Sequence, residues 1–246
     1  MPETFNPSEF TVATAKPLPV ILLLDTSSSM DGDKIEALNQ AVRRMLGTLT
    51  KQESQAQEYL VSIITFGTSP SGKPVDLALP PTPAAAVSFT DLQSGGVTPL
   101  GQALMVAKEL VEDKERTPSR AYRPLAVLVS DGVPTDDEGY PSDNWYSQLD
   151  EFVSQGRSAK CDRMSLAIGR DAYEGIGREA LDRFTAGTGH EVFEARNAEG
   201  ILEFFKFVTM SVVTRSLSRD PNTVPQDASL TPPETATPVD DDDSYW

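Results

Sequence analysis

Short apolar runs alternate along the chain with stretches in which apolar residues recur every three or four positions. The first run, residues 20–24, stops at the carboxylate of Asp25. Three- and four-residue apolar spacing then continues from residue 33 to about 51, as in an amphipathic helix. The next run, residues 59–66, is rich in β-branched residues and ends at Gly67, which is typical of a buried strand. The pattern therefore predicts strand, helix and strand in succession.

The same alternation continues to residue 217. The predicted strands are 125–129, 164–168 and 191–193, and 75–79 is predicted as an edge strand between Pro- and Gly-rich loops. The predicted helices are 100–114, 145–158, 178–184 and 200–217. Strands joined by helices form parallel sheets whose two faces are both covered by helices. We therefore predict an α/β fold with a doubly wound, mostly parallel central sheet.

The composition divides the chain into one domain and two appendages. Residues 18–217 form the predicted domain, and residues 1–17 form a Pro-rich, polar arm. Residues 218–246 are acidic and rich in Pro and Thr, so they offer too little apolar surface to offset the entropy of ordering. We predict a disordered tail. Its Asp240–Asp243 run is typical of a solubilising tail, while Thr231 and Thr237 precede prolines and suggest recognition or phosphorylation by a partner.

Charge and cysteine content narrow the classes of partner. The net charge of −16 and the pI of about 4.4 argue against nucleic acid and anionic membranes as partners. Cys161 is the only cysteine, which excludes an intrachain disulfide and a multi-cysteine zinc site. No secretory signal is visible, and no apolar run approaches the roughly 20 residues that span a bilayer. We expect a cytoplasmic protein.

Oxygen-bearing side chains follow the predicted strand ends. In an open parallel sheet, ligands bind beyond the carboxyl ends of the strands, where strand order reverses. Strand 20–24 is followed by Asp25, Ser27 and Ser29, and strand 125–129 by Asp131. Thr98 can add a hydroxyl from the side. Carboxylates and hydroxyls are hard ligands suited to Mg²⁺, Mn²⁺ or Ca²⁺ and not to zinc or copper.

Several of these residues have alternative explanations. Asp25 and the serines could be an N-cap cluster for the helix at residue 33. Thr98 is also predicted to cap the helix at residue 100, a role that is compatible with binding a metal. The acidic residues Asp136, Asp137 and Glu138 form either a solvated loop or a border of the cation site. His190 and Cys161 have no catalytic neighbours in sequence. Residues 175–180 fit Gly-x-Gly-x-x-Ala, but they lie too far after a strand for dinucleotide binding.

Three segments together resemble the von Willebrand factor A family. They are Asp25-Thr-Ser27-Ser-Ser29, Gly-Gly-Val-Thr98-Pro-Leu and Val-Ser-Asp131-Gly-Val-Pro-Thr. The resemblance implies a metal-ion-dependent adhesion site (MIDAS). Ser27 and Ser29 would coordinate the metal, most favourably Mg²⁺, directly. Thr98 would do so directly or through water, and Asp25 and Asp131 mainly through water. Within the family, the residues of these segments are most similar to the bacterial tellurium-resistance, TerY-like type. That type is associated with stress-response loci, some of which also encode protein kinases and PP2C-type phosphatases.

The resemblance implies a non-enzymatic interaction module whose cation captures an Asp or Glu of a partner protein. Loops 67–74, 135–144 and 171–177 would select the partner. The alternative is a metal-assisted phosphoesterase at the same site, which requires a general base and usually a second cation. The three segments contain no His, Lys or Arg beside the ligands, which argues against that alternative. A buffer for heavy metals is a third hypothesis, but soft ligands are lacking.

Overall fold

The computed structural model describes residues 15–54, 57–69 and 71–222. The predicted arm, residues 1–17, lies almost wholly outside these ranges, as does the predicted tail from residue 223 onward. Within the described ranges, no helix is both long enough and apolar enough to cross a bilayer.

Six strands of the described chain form one sheet in the order β3-β2-β1-β4-β5-β6. They are β1 (Pro17–Thr26), β2 (Glu58–Gly67), β3 (Val75–Pro83), β4 (Leu125–Ser130), β5 (Asp162–Ile168) and β6 (Phe193–Ala195). Neighbouring strands are parallel except β2 and β3, which are antiparallel. The sheet grows outward from β1 in both directions. The predicted doubly wound, mostly parallel sheet is therefore confirmed, and the predicted edge strand pairs with β2.

Helices cover both faces of this sheet. They are α1 (Asp33–Gln52), α2 (Leu100–Glu112), α3 (Asn144–Ser154), α4 (Gly175–Thr185) and α5 (Ala198–Leu217). β1 shows why two faces are needed, because all of its side chains are buried. Val20, Leu22 and Leu24 face the core under α1 and α5, while Ile21 and Leu23 face the core under α2, α3 and α4. Alternate residues of a strand point to opposite faces, so a continuous apolar run fills both cores.

Several predicted boundaries differ from the structure: β1 begins earlier, at Pro17, β3 extends to Pro83, and α2 ends at Glu112, and the differences at α3, α4 and β6 have local causes. α3 ends at Ser154 instead of residue 158, because Gly156 adopts a positive φ of 72° that turns the chain into a short 3₁₀ helix at Ser158–Lys160. α4 begins at Gly175, three residues before the prediction. β6 lies two residues later than predicted, since Ala195 pairs with Ile168.

The ordered chain continues past the predicted domain boundary at residue 217. Pro221 is buried, and its carbonyl accepts hydrogen bonds of 3.2 Å from Nε and Nη2 of Arg215. The side-chain oxygen of Asn222 accepts a 2.8 Å bond from the backbone N–H of Arg123. The prediction that disorder begins just after residue 217 is therefore wrong for residues 218–222, because a buried guanidinium fixes their backbone.

Candidate functional site

The carboxyl ends of β1 and β4 lie side by side at the point where strand order reverses. Leu24 is in register with Val129, so the chain beyond each strand emerges at the same edge. Asp25 and Asp131 are both buried there, with 0% and 2% of their surface exposed. This is the position at which open α/β sheets bind ligands. The prediction that these two strand ends are neighbours is confirmed.

Asp25 is held by two short hydrogen bonds. Its Oδ1 accepts from the backbone N–H of Ser27 at 2.8 Å, and its Oδ2 accepts from the hydroxyl of Ser130 at 2.6 Å. The pKa of this carboxyl is raised from 3.8 to about 7, first by burial and then by repulsion from Asp131, while the hydrogen bonds to Ser130 and Ser27 oppose the shift. Ser130 was absent from the sequence-based set. Its position directly before Asp131 was the only available signal.

A hydrogen-bonded line of oxygens connects the first and third motifs. The hydroxyls of Ser27 and Ser29 are 3.0 Å apart, and Ser29 Oγ donates to Asp131 Oδ1 at 2.7 Å. The interpretation of these residues as an N-cap cluster is wrong. The residue that caps α1 is Gly32, with φ of 75°, and no side chain caps that end. The Ser27–Ser29 turn therefore directs its hydroxyls to the sheet edge and not to the helix.

Thr98 reaches the same place from the loop before α2. A Cβ built on Gly132 would lie 3.8 Å from Ser29 Oγ and 3.9 Å from Thr98 Oγ1, so both hydroxyls border Gly132. The backbone of Thr98 is fixed by Thr135, which accepts its N–H at 3.0 Å and donates to its carbonyl at 2.9 Å. The prediction that Thr98 caps α2 is wrong, because the cap residue is Pro99 and no side chain bonds that helix end.

Lys34 is a further charged group at the site. Its ammonium donates to Asp131 Oδ2 at 2.7 Å and to the backbone carbonyl of Ser29 at 3.1 Å. The three segments themselves contain no Lys, Arg or His, but the fold adds Lys34 from outside them. Lys34 lies outside the three motifs, and the turn at Gly32 brings it back over Asp131. Its side chain is 14% exposed, so the pair is screened from most of the solvent.

Two glycines allow the loops around the site to pack closely. Gly67 adopts φ of 142°, and a Cβ there would lie 2.3 Å from the backbone carbon of Thr26. Gly96 adopts φ of 78°, and its Cβ would lie 2.5 Å from the carbonyl oxygen of Gly67. Any side chain at either position would push the β2 loop or the Thr98 loop away from Ser27. The loops after β1 and β2 and the loop that carries Thr98 are therefore held in backbone contact.

The donor set fits a hard cation. Asp25, Asp131 and three hydroxyls present only oxygen, and an ammonium already lies against one carboxylate. Among the described residues, no group of three or more His, Cys, Asp or Glu side chains is placed to hold a metal ion. A cation at this edge would therefore depend on the hydroxyls of Ser27, Ser29 and Thr98 as well as on the carboxylates.

The remaining sequence candidates lie elsewhere. His190 Nε2 is 3.3 Å from Asp162 Oδ1 at the start of β5, which is the opposite edge of the sheet. Cys161 is buried beside it, and burial raises the pKa of its thiol to about 12. In the Gly-x-Gly segment, a Cβ on Gly177 would lie 2.6 Å from the carbonyl of Asp171, and Glu194 is paired with Arg178 at 2.6 Å. Close packing against Asp171 explains why residue 177 is a glycine, and Glu194 is already paired with Arg178, so neither residue indicates a dinucleotide site.

The fold and site define a class: a doubly wound α/β domain that gathers hydroxyl and carboxylate oxygens where its strand order reverses. Residues 20–206 match the model of the von Willebrand factor type A domain, so the chain belongs to that family. The family predicted from the three segments is confirmed. Domains of this family mediate protein–protein interactions, and their MIDAS sites bind divalent cations.

The similar proteins are diverse. Inter-alpha-trypsin inhibitor heavy chain H4 from Sus scrofa is 27% identical over 199 residues, covering 79% of this chain and 20% of that protein. Pilus adhesin SpaC from Lactobacillus rhamnosus GG superposes with a TM-score of 0.62 at 15% identity, covering 81% of this chain and 31% of that one. The chain spans about a fifth of the length of the curated relatives it matches. At this identity, the adhesin shows the shared fold alone.

One further structure bears on the choice of metal. Proximal thread matrix protein 1 from the mussel byssus, with a zinc-occupied MIDAS motif, superposes with a TM-score of 0.57 at 13% identity, covering 82% of this chain and 48% of that one. In that protein a MIDAS motif therefore holds zinc, whereas the oxygen donors of this chain are expected to favour Mg²⁺, Mn²⁺ or Ca²⁺. Zinc also accepts oxygen ligands, although sulfur and imidazole are its commoner partners.

Proposed function

We propose that the chain is a metal-dependent protein-interaction module. Asp25, Ser27, Ser29, Thr98 and Asp131 hold one divalent cation, with the three hydroxyls nearest the ion and the two carboxylates acting mainly through water. The observation that carries the proposal is the hydrogen-bonded line from Ser27 through Ser29 to Asp131 at the switch point. Mg²⁺ is the proposed ion, because the donors are all oxygen, with Mn²⁺ or Ca²⁺ as the next choices.

The charges around the site support capture of an acidic residue from a partner. Hydroxyl ligands are neutral, so they leave the ion most of its positive charge. Asp131 shares its charge with Lys34, and Asp25 accepts bonds from Ser27 and Ser130. A cation held by such groups keeps its attraction for one more carboxylate, which a partner's Asp or Glu would supply. We therefore propose no catalytic residue.

Three loops are proposed to select the partner, because each contacts the site. The loop after Gly67 packs on Thr26 and Gly96, and the loop after Thr135 is bonded to Thr98. In the loop at residues 171–177, a Cβ on Gly177 would lie 3.0 Å from the carbonyl of Gly132, next to Asp131. Differences in these loops would change which acidic surface fits while leaving the ion in place.

No observation favours the phosphoesterase alternative over this proposal. Lys34 does supply a cation, but its ammonium is already bonded to Asp131 and to the Ser29 carbonyl. His190, the only histidine of the chain, lies at the opposite sheet edge. A general base and a free transition-state cation would both be needed for that chemistry.

A narrower proposal concerns the cellular setting. The segments Pro-Leu-Pro-Val-Ile-Leu-Leu-Leu-Asp25 and Val-Ser-Asp131-Gly-Val-Pro-Thr resemble the TerY-like, tellurium-resistance type. On that resemblance alone we propose a bacterial, cytoplasmic stress-response role in which the partner is a protein kinase or a PP2C-type phosphatase. Interaction assays with purified enzymes of these two classes, with Mg²⁺ or with chelator, test this proposal.

Calorimetric titration with Mg²⁺, Mn²⁺ and Zn²⁺ tests the site itself. Ser27→Ala combined with Ser29→Ala should weaken Mg²⁺ binding by roughly a hundredfold, because two direct ligands are lost. Ser28→Ala is the matched control, since that hydroxyl bonds the carbonyl of Gly96 and points away from the oxygen line. Equal Mg²⁺ affinity in the double variant and the control would show that the ion, if bound, lies elsewhere.

A further inference from the structure

A groove runs between α1 and α5, on the sheet face away from α2, α3 and α4. Its volume is about 460 Å³. Apolar atoms of Met45, Phe205 and Met210 contribute to its lining, and Met210 is 45% exposed. An exposed methionine beside a cleft between two helices is a surface suited to an aromatic or aliphatic side chain.

Cations border this groove in a chain that carries a net charge of −16. Arg44 and Lys51 line it from α1, seven residues and thus about two turns apart, and Lys206 lines it from α5. Lys206 is paired with Glu203 at 3.4 Å, in an exposed contact that contributes little to stability. In the part of the chain that the structure describes, neither Arg44 nor Lys51 has an ion-pair partner. The groove therefore favours an acidic occupant.

The last seven residues of the sequence have the complementary chemistry. Asp240–Asp243 supply four consecutive carboxylates, and Tyr245 and Trp246 follow two and three residues later. Such a segment presents charge for the basic border and aromatic surface for the apolar lining. Tyr and Trp are the side chains that bury most surface at interfaces for little conformational entropy.

The length of chain between the domain and this segment is sufficient. The described chain is anchored at Asn222, just beyond the end of α5 at Leu217. Residues 223–239 can extend to at most roughly 60 Å, whereas Lys206 lies about 16 Å along α5 from Leu217. A tether that easily exceeds the distance it must cover gives a high effective concentration of the segment at the groove.

We propose that residues 240–246 dock in the groove between α1 and α5 of the same chain. The carboxylates of the Asp run pair with Arg44, Lys51 and Lys206, and the terminal aromatic residues cover the exposed methionine. This contact is independent of the metal site, which lies at the carboxyl ends of β1 and β4.

Disulfide trapping in the full-length chain tests the docking. Thr48→Cys, within the groove lining, is combined with Ser244→Cys, and the equilibrium with a glutathione buffer is measured in dilute protein. The matched control combines Ser244→Cys with Ser154→Cys, an exposed position at the end of α3 on the opposite face. Cys161 stays unreactive in both, because it is buried and the pKa of its thiol is raised to about 12.

We expect the effective concentration for the groove pair to exceed that of the control pair by about tenfold or more. Adding Arg44→Glu with Lys51→Glu, or 1 M salt, should reduce it to the control value, since exposed charges are screened. Equal values for the two pairs would overturn the proposal, as would insensitivity to charge reversal. Concentration-dependent covalent dimers would instead indicate a second copy. Preferential trapping by Asp31→Cys, an exposed position two residues after Ser29, would indicate the proposed metal site. Either result would also overturn it.

Discussion

The two edges of the sheet both bury charged side chains, but they balance the charges differently. The amino edge, defined by Asp162, Arg215 and His190, sets one buried carboxylate against a guanidinium with 0% exposure, at 3.6 Å. The carboxyl edge, defined by the five proposed ligands, sets two buried carboxylates against the single ammonium of Lys34. In the first group, the charge of Asp162 is neutralised by the guanidinium of Arg215. The second group has one carboxylate more than its single ammonium can pair with, and the pKa of Asp25 is raised to about 7 by burial and by repulsion from Asp131. An unbalanced carboxylate of this kind is expected of the proposed binding site and not of a structural ion cluster.

Backbone carbonyls accept most of the hydrogen bonds of the guanidinium groups at the amino edge. Arg215 donates to the carbonyls of Pro221 and, at 2.8 Å, of Arg123. Arg163 donates in the same way to Phe184 at 2.6 Å and to Ala186 at 2.8 Å. Burial lowers the pKa of both guanidinium groups, and the carbonyl partners compensate for lost hydration. Among the described residues, Arg215 Nη1 and Asp162 Oδ1 are nevertheless buried without a hydrogen-bond partner, so charge attraction is what holds these two groups together.

The largest predicted effect is on the amino edge. Arg215→Met leaves Asp162 buried without its guanidinium and should lower the free energy of unfolding by about 3–5 kcal/mol in urea titrations. Adding Asp162→Asn should restore part of that loss. Arg43→Met removes an exposed ion pair with Asp91 and should change stability by less than about 0.5 kcal/mol. A small effect of Arg215→Met would mean that the amino-edge pair contributes no more than a surface pair.

The thiol of Cys161, at the amino edge, should also be unreactive towards alkylating reagents. The pKa of Cys161 is raised from 9.0 to about 12 by burial, so at pH 8 its thiolate fraction falls roughly a thousandfold relative to the unfolded chain. Alkylation by iodoacetamide, followed by mass spectrometry, should be slower in the native protein by at least that factor. The rate in urea is the reference. Rapid native alkylation would show that this edge opens to solvent.

At the carboxyl edge, loss of a carboxylate should affect metal binding more than folding. Asp131→Asn should weaken Mg²⁺ binding by about a hundredfold. It should change the unfolding free energy of the metal-free chain by no more than about 1 kcal/mol, because the lost attraction to Lys34 is offset by relief of the repulsion between Asp25 and Asp131. Asp137→Asn, in the exposed part of the acidic loop, should leave Mg²⁺ affinity within about twofold. Equal losses of affinity in the two variants would favour a border role for that loop.

The smallest predicted effect concerns Lys34. Its ammonium shares Asp131 with any bound cation, so Lys34→Met should strengthen Mg²⁺ binding by about fivefold, as measured by calorimetry. Lys73→Met, in the loop before β3, is the control for a general change in net charge. Weaker binding in Lys34→Met would show that the lysine positions Asp131 more than it competes for it.

Local sequence was sufficient to predict the strands, because apolar runs mark buried strands, and Asp25, Ser27, Ser29 and Asp131 come directly after two of them. Thr98 was predicted from a different signal, the Gly-Gly loop that opens a helix. Local sequence did not predict Lys34, which depends on the turn at Gly32, or Ser130, whose hydroxyl points at Asp25 across two strands. The placement of β6 was two residues out, since a three-residue strand has too little periodicity to fix its position.

The predicted end of the domain at residue 217 was wrong for a related reason. Residues 218–222 have the composition of a tail, and their order depends on Arg215, a charged residue in the last turn of a helix that would be expected to face solvent. Burial of that arginine is decided by Asp162, more than fifty residues earlier in the chain. No local pattern contains such a contact.

The hydrogen bonds at residues 122 and 123 have a mechanical consequence. The N–H of Tyr122 bonds the carbonyl of Pro17, where β1 begins, and the N–H of Arg123 bonds Asn222, where the described chain ends. Pro17 and Asn222 are thus hydrogen-bonded to adjacent residues, at the end of the sheet remote from Asp25 and Asp131. A force that pulled Pro17 and Asn222 apart would act first on the two hydrogen bonds at residues 122 and 123. It would reach the oxygen cluster only after these hydrogen bonds had broken.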